Sequence, residues 1–162
     1  MKNQYKKKGK LISMSYEEYE ILCGKLVKKI QNDIFKNEIE FSGIYAFPRG
    51  GLPLGVHLSH KLNLPLLEKP NKECLLVDDI SDRGITSKWV KRKKFACLYS
   101  TSWTRTTPDY FIKLKRSKLD WIYFPWECFE QENMKVYNAR KWLQSAHQGN
   151  EKHSLYRKRI PM

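Results

Sequence analysis

Residues 74–86, with the sequence CLLVDDISDRGIT, limit the possible folds more than any other part of the chain. An apolar run ends there in two adjacent acids, Asp78 and Asp79, and a third acid, Asp82, follows three residues later. A short continuous apolar run is typical of a strand that is covered on both faces of a parallel sheet. Because ligands of such sheets bind beyond the carboxyl ends of the strands, we expect the three acids at a binding site.

A short loop follows the acids and contains Gly84 and Thr86. Gly84 allows the backbone to approach a ligand closely, and the amides of residues 83–86 can converge on a phosphate at the start of a helix. Carboxylates accept hydrogen bonds from sugar hydroxyls or help to hold a divalent cation. The pattern therefore predicts a ligand that carries both hydroxyls and a phosphate. A plain acidic turn, with Asp82 capping the next helix, is the alternative.

A second loop with anion-binding chemistry follows the predicted strand 41–47. It contains Arg49, Gly50 and Gly51. The glycines permit backbone amides to approach a ligand, and the guanidinium offers a forked pair of donors to an anion. A strand-to-helix turn without a ligand is the alternative.

Three segments of the sequence resemble the type I phosphoribosyltransferases, and they occur in that family's order. Residues 77–86 are similar to the family's phosphoribosyl pyrophosphate motif, and residues 44–55 to its strand, pyrophosphate loop and helix. Residues 120–127 look like the base-binding segment of the bacterial and archaeal 6-oxopurine branch, which takes xanthine, guanine or hypoxanthine. The resemblance implies an α/β fold with a parallel-sheet, Rossmann-like core, helices on both faces and a small accessory hood element.

The resemblance also implies an activity. A 5-phosphoribosyl group would pass from phosphoribosyl pyrophosphate to a purine base, with a 6-oxopurine favoured, and pyrophosphate would be released. Such an enzyme is a pentosyltransferase of purine salvage, with Mg²⁺ as its cofactor. Two alternatives stay open: a non-catalytic regulator of the same fold that senses phosphoribosyl pyrophosphate or binds nucleic acid, and a chain that keeps only the fold.

Residue roles follow from the positions that match the family's motifs. Asp78 and Asp79 would meet the ribose hydroxyls and are the candidate metal ligands, while Asp82 is the candidate general acid or base near N7 of the purine. The other residues expected to bind phosphoribosyl pyrophosphate are Arg83, Gly84, Ile85 and Thr86. The residues expected to bind pyrophosphate are Arg49, Gly50 and Gly51, and the peptide before Arg49 is expected to be strained or cis. The residues expected to bind the base are Trp121 by stacking, Ile122 through its backbone, and Glu127.

Three features depart from the family's pattern. Arg83 stands where the family usually has Thr or Ser, and Thr101 stands near the position of a Lys that donates to the 6-oxo group. Lys113 or Lys115, from the neighbouring element, is left open as a substitute for that Lys. Only residues 87–94 separate Thr86 from the next strand, which leaves room for about two helical turns.

The charge of the chain favours anionic partners. Lys and Arg number 31 against 17 Asp and Glu, and the positive residues cluster in four blocks. Besides phosphoribosyl pyrophosphate, non-specific contact with nucleic acid through these basic segments stays open. Each block taken alone is more typical of a solvated face or a loose tail. A homo-oligomer also stays open.

Length and composition predict one domain, residues 13–146, between a basic flexible arm, 1–12, and a basic C-terminal tail, 147–162. No apolar run is long enough to span a membrane, and no signal-peptide core is present, so we expect a cytoplasmic protein. We expect the four cysteines to be reduced, with Cys74 and Cys97 buried as packing residues.

Hydrophobic periodicity and capping residues predict the order of strands and helices. Ser15 and Glu18 form a capping box that opens a helix ending near Asn32. The other predicted strands are 41–47, 64–67, 74–77 and 95–99, and the other predicted helices are 52–62 and 136–146. Residues 110–114 and 121–124 are predicted to form two strands of the accessory element.

Overall fold

The computed structural model of the chain describes residues 9–82 and 93–127. These residues form, in order, β1 (Leu11–Ser13), α1 (Tyr16–Asn37), β2 (Ile44–Ala46), α2 (Gly51–Leu62), β3 (Leu75–Val77), β4 (Ile80–Ser81), β5 (Phe95–Ala96), β6 (Tyr99–Thr101), β7 (Lys113–Lys115) and β8 (Trp121–Tyr123). Every pairing between these strands is parallel. The α/β parallel-sheet fold predicted from the sequence is therefore confirmed.

Helix α1 begins at its predicted cap and ends later than predicted. The Ser15 side chain accepts a hydrogen bond from Glu18 N at 3.0 Å, which satisfies an amide that has no partner inside the helix. The helix continues past Asn32 and is closed by Glu38, which has a left-handed conformation with φ of 50°. The predicted end at Asn32 is wrong, because Asn costs a helix only a fraction of a kcal/mol and does not terminate it.

Helix α2 lies close against strand β2, and it begins and ends as predicted to within one residue. A Cβ at Gly55 would collide with the Cβ of Ala46, so this glycine allows the close approach of helix and strand. The helix ends at Asn63, which is left-handed with φ of 53°. The packing of α2 on the sheet fixes where its first residue, Gly51, meets the strand ends.

Strand β3 is central in its sheet, as the apolar run predicted. The sheet has the order β2-β3-β5, and a second sheet has the order β4-β6-β7. Leu75 and Val77 face the cluster that contains α1 and α2, whereas Cys74 and Leu76 face a second buried cluster with Phe95. Both faces of β3 are therefore covered, as expected for a strand in a parallel sheet.

The predicted strand 95–99 is divided into β5 and β6. The Asp79 carbonyl accepts hydrogen bonds from Leu98 N at 3.1 Å and Tyr99 N at 3.3 Å, where a regular ladder would use one amide. The turn at the acid pair therefore interrupts this strand as well as β3, so a single strand was a wrong expectation. The predicted strand 64–67 is reduced to one bridge, between Leu66 and Ile44.

The accessory element differs from the predicted one. Residues 113–115 form β7, which pairs with β6 in the main fold, and β8 pairs with β1 instead. The expectation that 110–114 and 121–124 lie together is wrong, because β7 continues the parallel order of the sheet beside β6. Leu11 and Ile12, the last residues of the predicted arm, belong to β1 and therefore to the folded part.

The described helices α1 and α2 contact the same buried cluster. The predicted helix 136–146, the C-terminal tail 147–162, residues 1–8 and the loop 83–86 lie outside the described residues. Cys23, Cys74 and Cys97 are buried free thiols, as expected. Within the described ranges, no helix has the length and apolar character needed to cross a membrane.

Candidate active site

The acid pair occupies a tight turn between β3 and β4. Asp78 Oδ1 accepts a hydrogen bond from Asp79 N at 3.0 Å, and Asp79 Oδ1 accepts one from Ile80 N at 2.7 Å. Asp78 N in turn donates to Ala96 O at 3.1 Å, which ties the turn to β5. Both carboxylates are therefore fixed by backbone amides at the carboxyl end of the central strand.

The loop between β2 and α2 meets this turn at its two glycines. A Cβ at Gly50 would collide with Asp79 Oδ2 and would lie 2.8 Å from Asp79 Cγ. A Cβ at Gly51 would lie 2.8 Å from Val77 O and 3.0 Å from Asp78 Cα. The two loops therefore approach each other too closely for a side chain at either glycine, and the backbone of the glycine loop lies beside the acids.

The same loop carries a cis peptide bond between Pro48 and Arg49, in agreement with the expectation for this position. Arg49 is exposed and directly precedes the two glycines that lie against the acid pair. Three residues predicted to bind pyrophosphate thus lie together, and their glycines contact two residues predicted to bind the sugar.

Burial dominates the electrostatics of the acid pair. It raises the pKa of the Asp78 carboxyl well above the usual range, and the neighbouring charge of Asp79 raises it further. Burial also raises the pKa of Asp79, against the hydrogen bonds that it accepts. Two acids held side by side in a partly buried turn favour a shared proton, a cation or hydroxyl donors from a ligand.

The acid pair fits Mg²⁺ as a partial ligand set. Mg²⁺ is usually held by one or two carboxylates together with waters and substrate phosphates. Among residues 9–82 and 93–127, no group of three or more His, Cys, Asp or Glu could form a complete metal site. The donors therefore suit a cation that is shared with a phosphate-bearing ligand.

The third acid, Asp82, has a different environment. Its Oδ1 accepts a hydrogen bond from Trp103 Nε1 at 2.7 Å, and its Oδ2 accepts one from Lys115 Nζ at 3.1 Å. About a third of the Asp82 side chain is exposed, at 35%, whereas the Lys115 side chain is only 4% exposed. One side of the Asp82 carboxylate is thus exposed to solvent, and the buried ammonium of Lys115 neutralises its charge on the other side.

Strand pairing brings Lys115 to this acid. Lys115 lies opposite Thr101 in the register of β6 and β7. Thr101 itself is buried, and its hydroxyl donates to Ser81 O at 3.2 Å and Asp82 O at 3.1 Å. Thr101 therefore supports the backbone below the acid, while the neighbouring strand supplies the ammonium group.

The residues predicted to bind the base lie on β8 and just after it. Trp121 is half-buried, and Ile122 is buried. Trp121 N donates to Lys10 O and Tyr123 O accepts from Met14 N, so the alternation of a parallel ladder directs the backbone of Ile122 away from β1. That edge of β8 can offer the Ile122 peptide groups to a ligand.

Glu127 lies within electrostatic reach of the acid pair. Its Oε2 accepts a hydrogen bond from Phe124 N at 2.7 Å. Burial raises the pKa of Glu127, and the charge of Asp79 contributes to the rise. Trp126, by contrast, stacks on Phe124 with ring centres 4.9 Å apart, as expected for a packing residue.

The structure adds two residues to the predicted site. Trp103 was not predicted, and Lys115 was only an open substitute for the missing Lys. Both contact Asp82 from more than 20 positions further along the chain. Polar residues at the carboxyl ends of β6 and β7 are the only signal that could have suggested them. The predicted residues Arg83, Gly84, Ile85 and Thr86 lie outside the described ranges.

No protein-family model matches the chain. Among solved structures, a purine phosphoribosyltransferase from Pyrococcus horikoshii is similar, with 27% identity, a TM-score of 0.60, and coverage of 74% of this chain and 95% of that one. A xanthine-guanine-hypoxanthine phosphoribosyltransferase from Helicobacter pylori has 22% identity and a TM-score of 0.55, covering 78% of this chain and 99% of that one.

A hypothetical protein from Neisseria gonorrhoeae with bound ppGpp has 14% identity and a TM-score of 0.55, covering 86% of this chain and 99% of that one. At these two lower identities the likeness concerns the fold alone. The fold and the paired loops define the class: the chain has the architecture of the type I phosphoribosyltransferases. Within that class it resembles the 6-oxopurine branch.

Proposed function

We propose that the protein transfers the 5-phosphoribosyl group of phosphoribosyl pyrophosphate to a purine base, with a 6-oxopurine as its preferred acceptor. The contact between the glycine loop and the acid pair carries the proposal. Gly50 has no room for a side chain because Asp79 lies against it. The loop amides and the carboxylates can therefore contact the pyrophosphate and the ribose of one ligand at the same time.

In this reaction a ring nitrogen of the purine attacks C1 of the sugar. The C1–O bond to pyrophosphate breaks, and pyrophosphate leaves with the electron pair. A proton that the base carries on its other imidazole nitrogen is then accepted by Asp82, which makes this residue the general base. When bound, Mg²⁺ neutralises charge on the departing pyrophosphate.

The residues of the chain stabilise the separated charges. The amide of Gly50 and the guanidinium of Arg49 are proposed to face the growing negative charge on pyrophosphate, while the Gly51 amide donates to Phe47 O at 3.0 Å and holds the loop. Asp78 and Asp79 accept hydrogen bonds from the ribose hydroxyls and lie near the sugar carbon that becomes positive. Residues 83–86 are proposed to bind the 5′-phosphate, and Trp121, Ile122 and Glu127 to bind the base.

A panel of nucleobases tests the proposal. Each common purine and pyrimidine is incubated with phosphoribosyl pyrophosphate and Mg²⁺, and the products are identified by mass. We expect nucleoside monophosphates from 6-oxopurines and none when Mg²⁺ is chelated. Absence of turnover with every base would defeat the proposal.

Two glycine variants test whether the activity depends on the contact between Gly50 and Asp79. Gly50→Ala places a methyl group against Asp79 and should reduce turnover at least about tenfold, because it separates groups that must contact one ligand together. Gly24→Ala is the matched control, since a Cβ at that position meets no atom within 4 Å. Equal activity in both variants would contradict the proposed role of the loop contact.

A second candidate is a non-catalytic regulator of the same fold. One observation favours it: both carboxylate oxygens of Asp82 already accept hydrogen bonds from Trp103 and Lys115. An acid engaged in this way is less available as a base. Phosphoribosyl pyrophosphate binding without turnover would support this candidate. A steep loss of RNA or DNA affinity with rising salt would support its nucleic-acid-binding form.

A further inference from the structure

A groove between α1 and α2, called here the helix groove, lies beside the candidate active site. Its volume is about 450 Å³, and the described residues that line it come from the first two turns of α1, from α2 and from Trp126. No described lining residue belongs to the acid pair, the glycine loop or the surroundings of Asp82. A groove of this size is within the range of pockets that bind small ligands.

Aromatic and apolar groups make up much of the lining. Tyr19 is buried, and its ring meets the rings of His57 and Trp126 edge to face, with centres 5.5 Å and 5.2 Å apart. Tyr16 is 65% exposed and Val56 is 42% exposed in the same groove. Apolar groups that share one groove with a polar rim are typical of ligand-binding surfaces, whereas single exposed ones are ordinary. The helix groove therefore offers a surface on which a planar ring can pack.

The second half of α2 brings hydrogen-bond donors to this surface. His57, His60 and Lys61 line the groove, and the one carboxylate among the described lining residues is that of Glu20. His57 Nε2 and Lys61 Nζ each lie 3.6 Å from a Glu20 oxygen. Because this separation is longer than a hydrogen bond, the carboxylate attracts the two groups without using up their N–H donors. The donors can therefore bind an anionic group of a ligand.

We propose that the helix groove is a second ligand site that binds a purine nucleoside monophosphate. The base packs on the ring of Trp126 and on Val56, and the phosphate accepts hydrogen bonds from His60 and Lys61. The groove calls for a small anion that carries an aromatic ring, and a nucleoside monophosphate is the compound of that kind that the proposed reaction makes. This choice of ligand rests on the proposed function.

Titration calorimetry with three probes tests whether both parts of the ligand are needed. The protein is first saturated with phosphoribosyl pyrophosphate and Mg²⁺, which occupy the candidate active site. Inosine monophosphate should then bind to one further site. Inosine lacks the anion and ribose 5-phosphate lacks the ring, so each should bind at least about tenfold more weakly. Absence of inosine monophosphate binding under these conditions would overturn the proposal.

Variants of exposed groove residues locate the site. Val56→Glu places a negative charge among the lining residues and should remove detectable binding of inosine monophosphate. Lys61→Gln removes the ammonium and should weaken binding about tenfold. Lys28→Gln is the matched control, because it removes an exposed ammonium from α1 outside the groove. Equal affinity in Lys61→Gln and Lys28→Gln would overturn the proposal, and this comparison decides alone if thermal unfolding shows that Val56→Glu does not fold.

The result for this site is separable from the result for the proposed function. If bases are turned over but no second nucleotide binds, the activity stands and this inference is wrong. If phosphoribosyl pyrophosphate does not bind, inosine monophosphate is titrated alone. A loss of binding in Val56→Glu but not in Asp79→Ala then supports the helix groove without the activity, and the reverse result overturns it.

A second copy of the chain is the competing occupant of the helix groove. Sedimentation compares the oligomeric state of wild type with that of Val56→Glu. An oligomer that Val56→Glu dissociates, together with no nucleotide binding to the wild type, would mean that a second copy covers the groove and would overturn the proposal.

Discussion

The acid pair and Asp82 lie within four residues of each other, yet their surroundings are opposite. Asp78 and Asp79 receive hydrogen bonds from backbone amides of their own turn. Asp82 receives hydrogen bonds from side chains of distant elements, one of them charged. Among the described residues, the first site has no cationic side chain in its hydrogen bonds and its pKa values are raised by burial, whereas the second has its charge balanced by Lys115. The difference suggests a division of work between binding the sugar and handling the proton of the base.

The largest expected effect is on turnover when Asp82 loses its charge. Asp82→Asn keeps the shape but cannot accept a proton, so kcat should fall about 10²- to 10⁴-fold, with little change in affinity for phosphoribosyl pyrophosphate. Steady-state kinetics and direct binding measure the two quantities. Asp109→Asn is the control, because Asp109 accepts a hydrogen bond from Phe95 N at the start of β5, at the other end of the strands. A loss confined to affinity would reverse the roles assigned to the two regions.

Removal of an acid from the pair should lower the affinity for phosphoribosyl pyrophosphate more than it lowers turnover. Asp78→Ala and Asp79→Ala each delete acceptors for the ribose hydroxyls, so affinity for phosphoribosyl pyrophosphate should fall about ten- to a hundredfold. Titration calorimetry in the presence of Mg²⁺ measures the change. Unaltered affinity in both variants would separate the acid pair from the ligand and remove the basis for the comparison.

The sequence predicted those parts of the candidate site whose residues lie close together along the chain. Asp78, Asp79 and Asp82 follow one apolar strand, and Gly50 and Gly51 follow another, so each motif could be recognised alone. Parallel pairing then implied that both strand ends lie at one edge of the sheet. The resemblance assigned both loops to one ligand, and that assignment needed no knowledge of side-chain packing.

The surroundings of Asp82 and the division of β5 from β6 depended on contacts that local sequence patterns do not encode. The indole of Trp103 and the ammonium of Lys115 reach Asp82 only because β4, β6 and β7 pair in that order. One of the four basic blocks, residues 113–118, was expected to be a solvated face or a loose tail, whereas strand register buries its member Lys115. The division of β5 from β6 was also hidden, because it arises when the Asp79 carbonyl takes two amides from another strand.

The pH dependence of stability offers a further contrast between the two regions. The pKa of Asp78 is raised in the folded state, so the protonated form is favoured there. Its contribution to stability is present below about pH 4, the unfolded value, and is lost as the pH rises towards the folded value. Asp78→Asn removes this loss of stability, because the amide side chain does not ionise. In Mg²⁺-free buffer, the variant should gain on the order of 1 kcal/mol over wild type between pH 5 and pH 8, discounted for solvent screening.

Urea unfolding at both pH values measures this gain. Asp109→Asn again serves as the control for a change of charge away from the site. Its free energy of unfolding should not rise relative to wild type as the pH increases. A constant difference between Asp78→Asn and wild type across the range would mean that the turn does not favour the proton.

The smallest expected effect separates the two partners of Asp82 from each other. Trp103→Phe keeps an aromatic ring next to Lys115 but deletes the Nε1–H that donates to Asp82 Oδ1. A hydrogen bond of this kind contributes about 1 kcal/mol, so kcat should fall about fivefold. Affinity for phosphoribosyl pyrophosphate should stay nearly constant, because Trp103 contacts Asp82 and not the acid pair. A loss of that affinity as large as the loss of kcat would show that Trp103 acts on the sugar site rather than through Asp82.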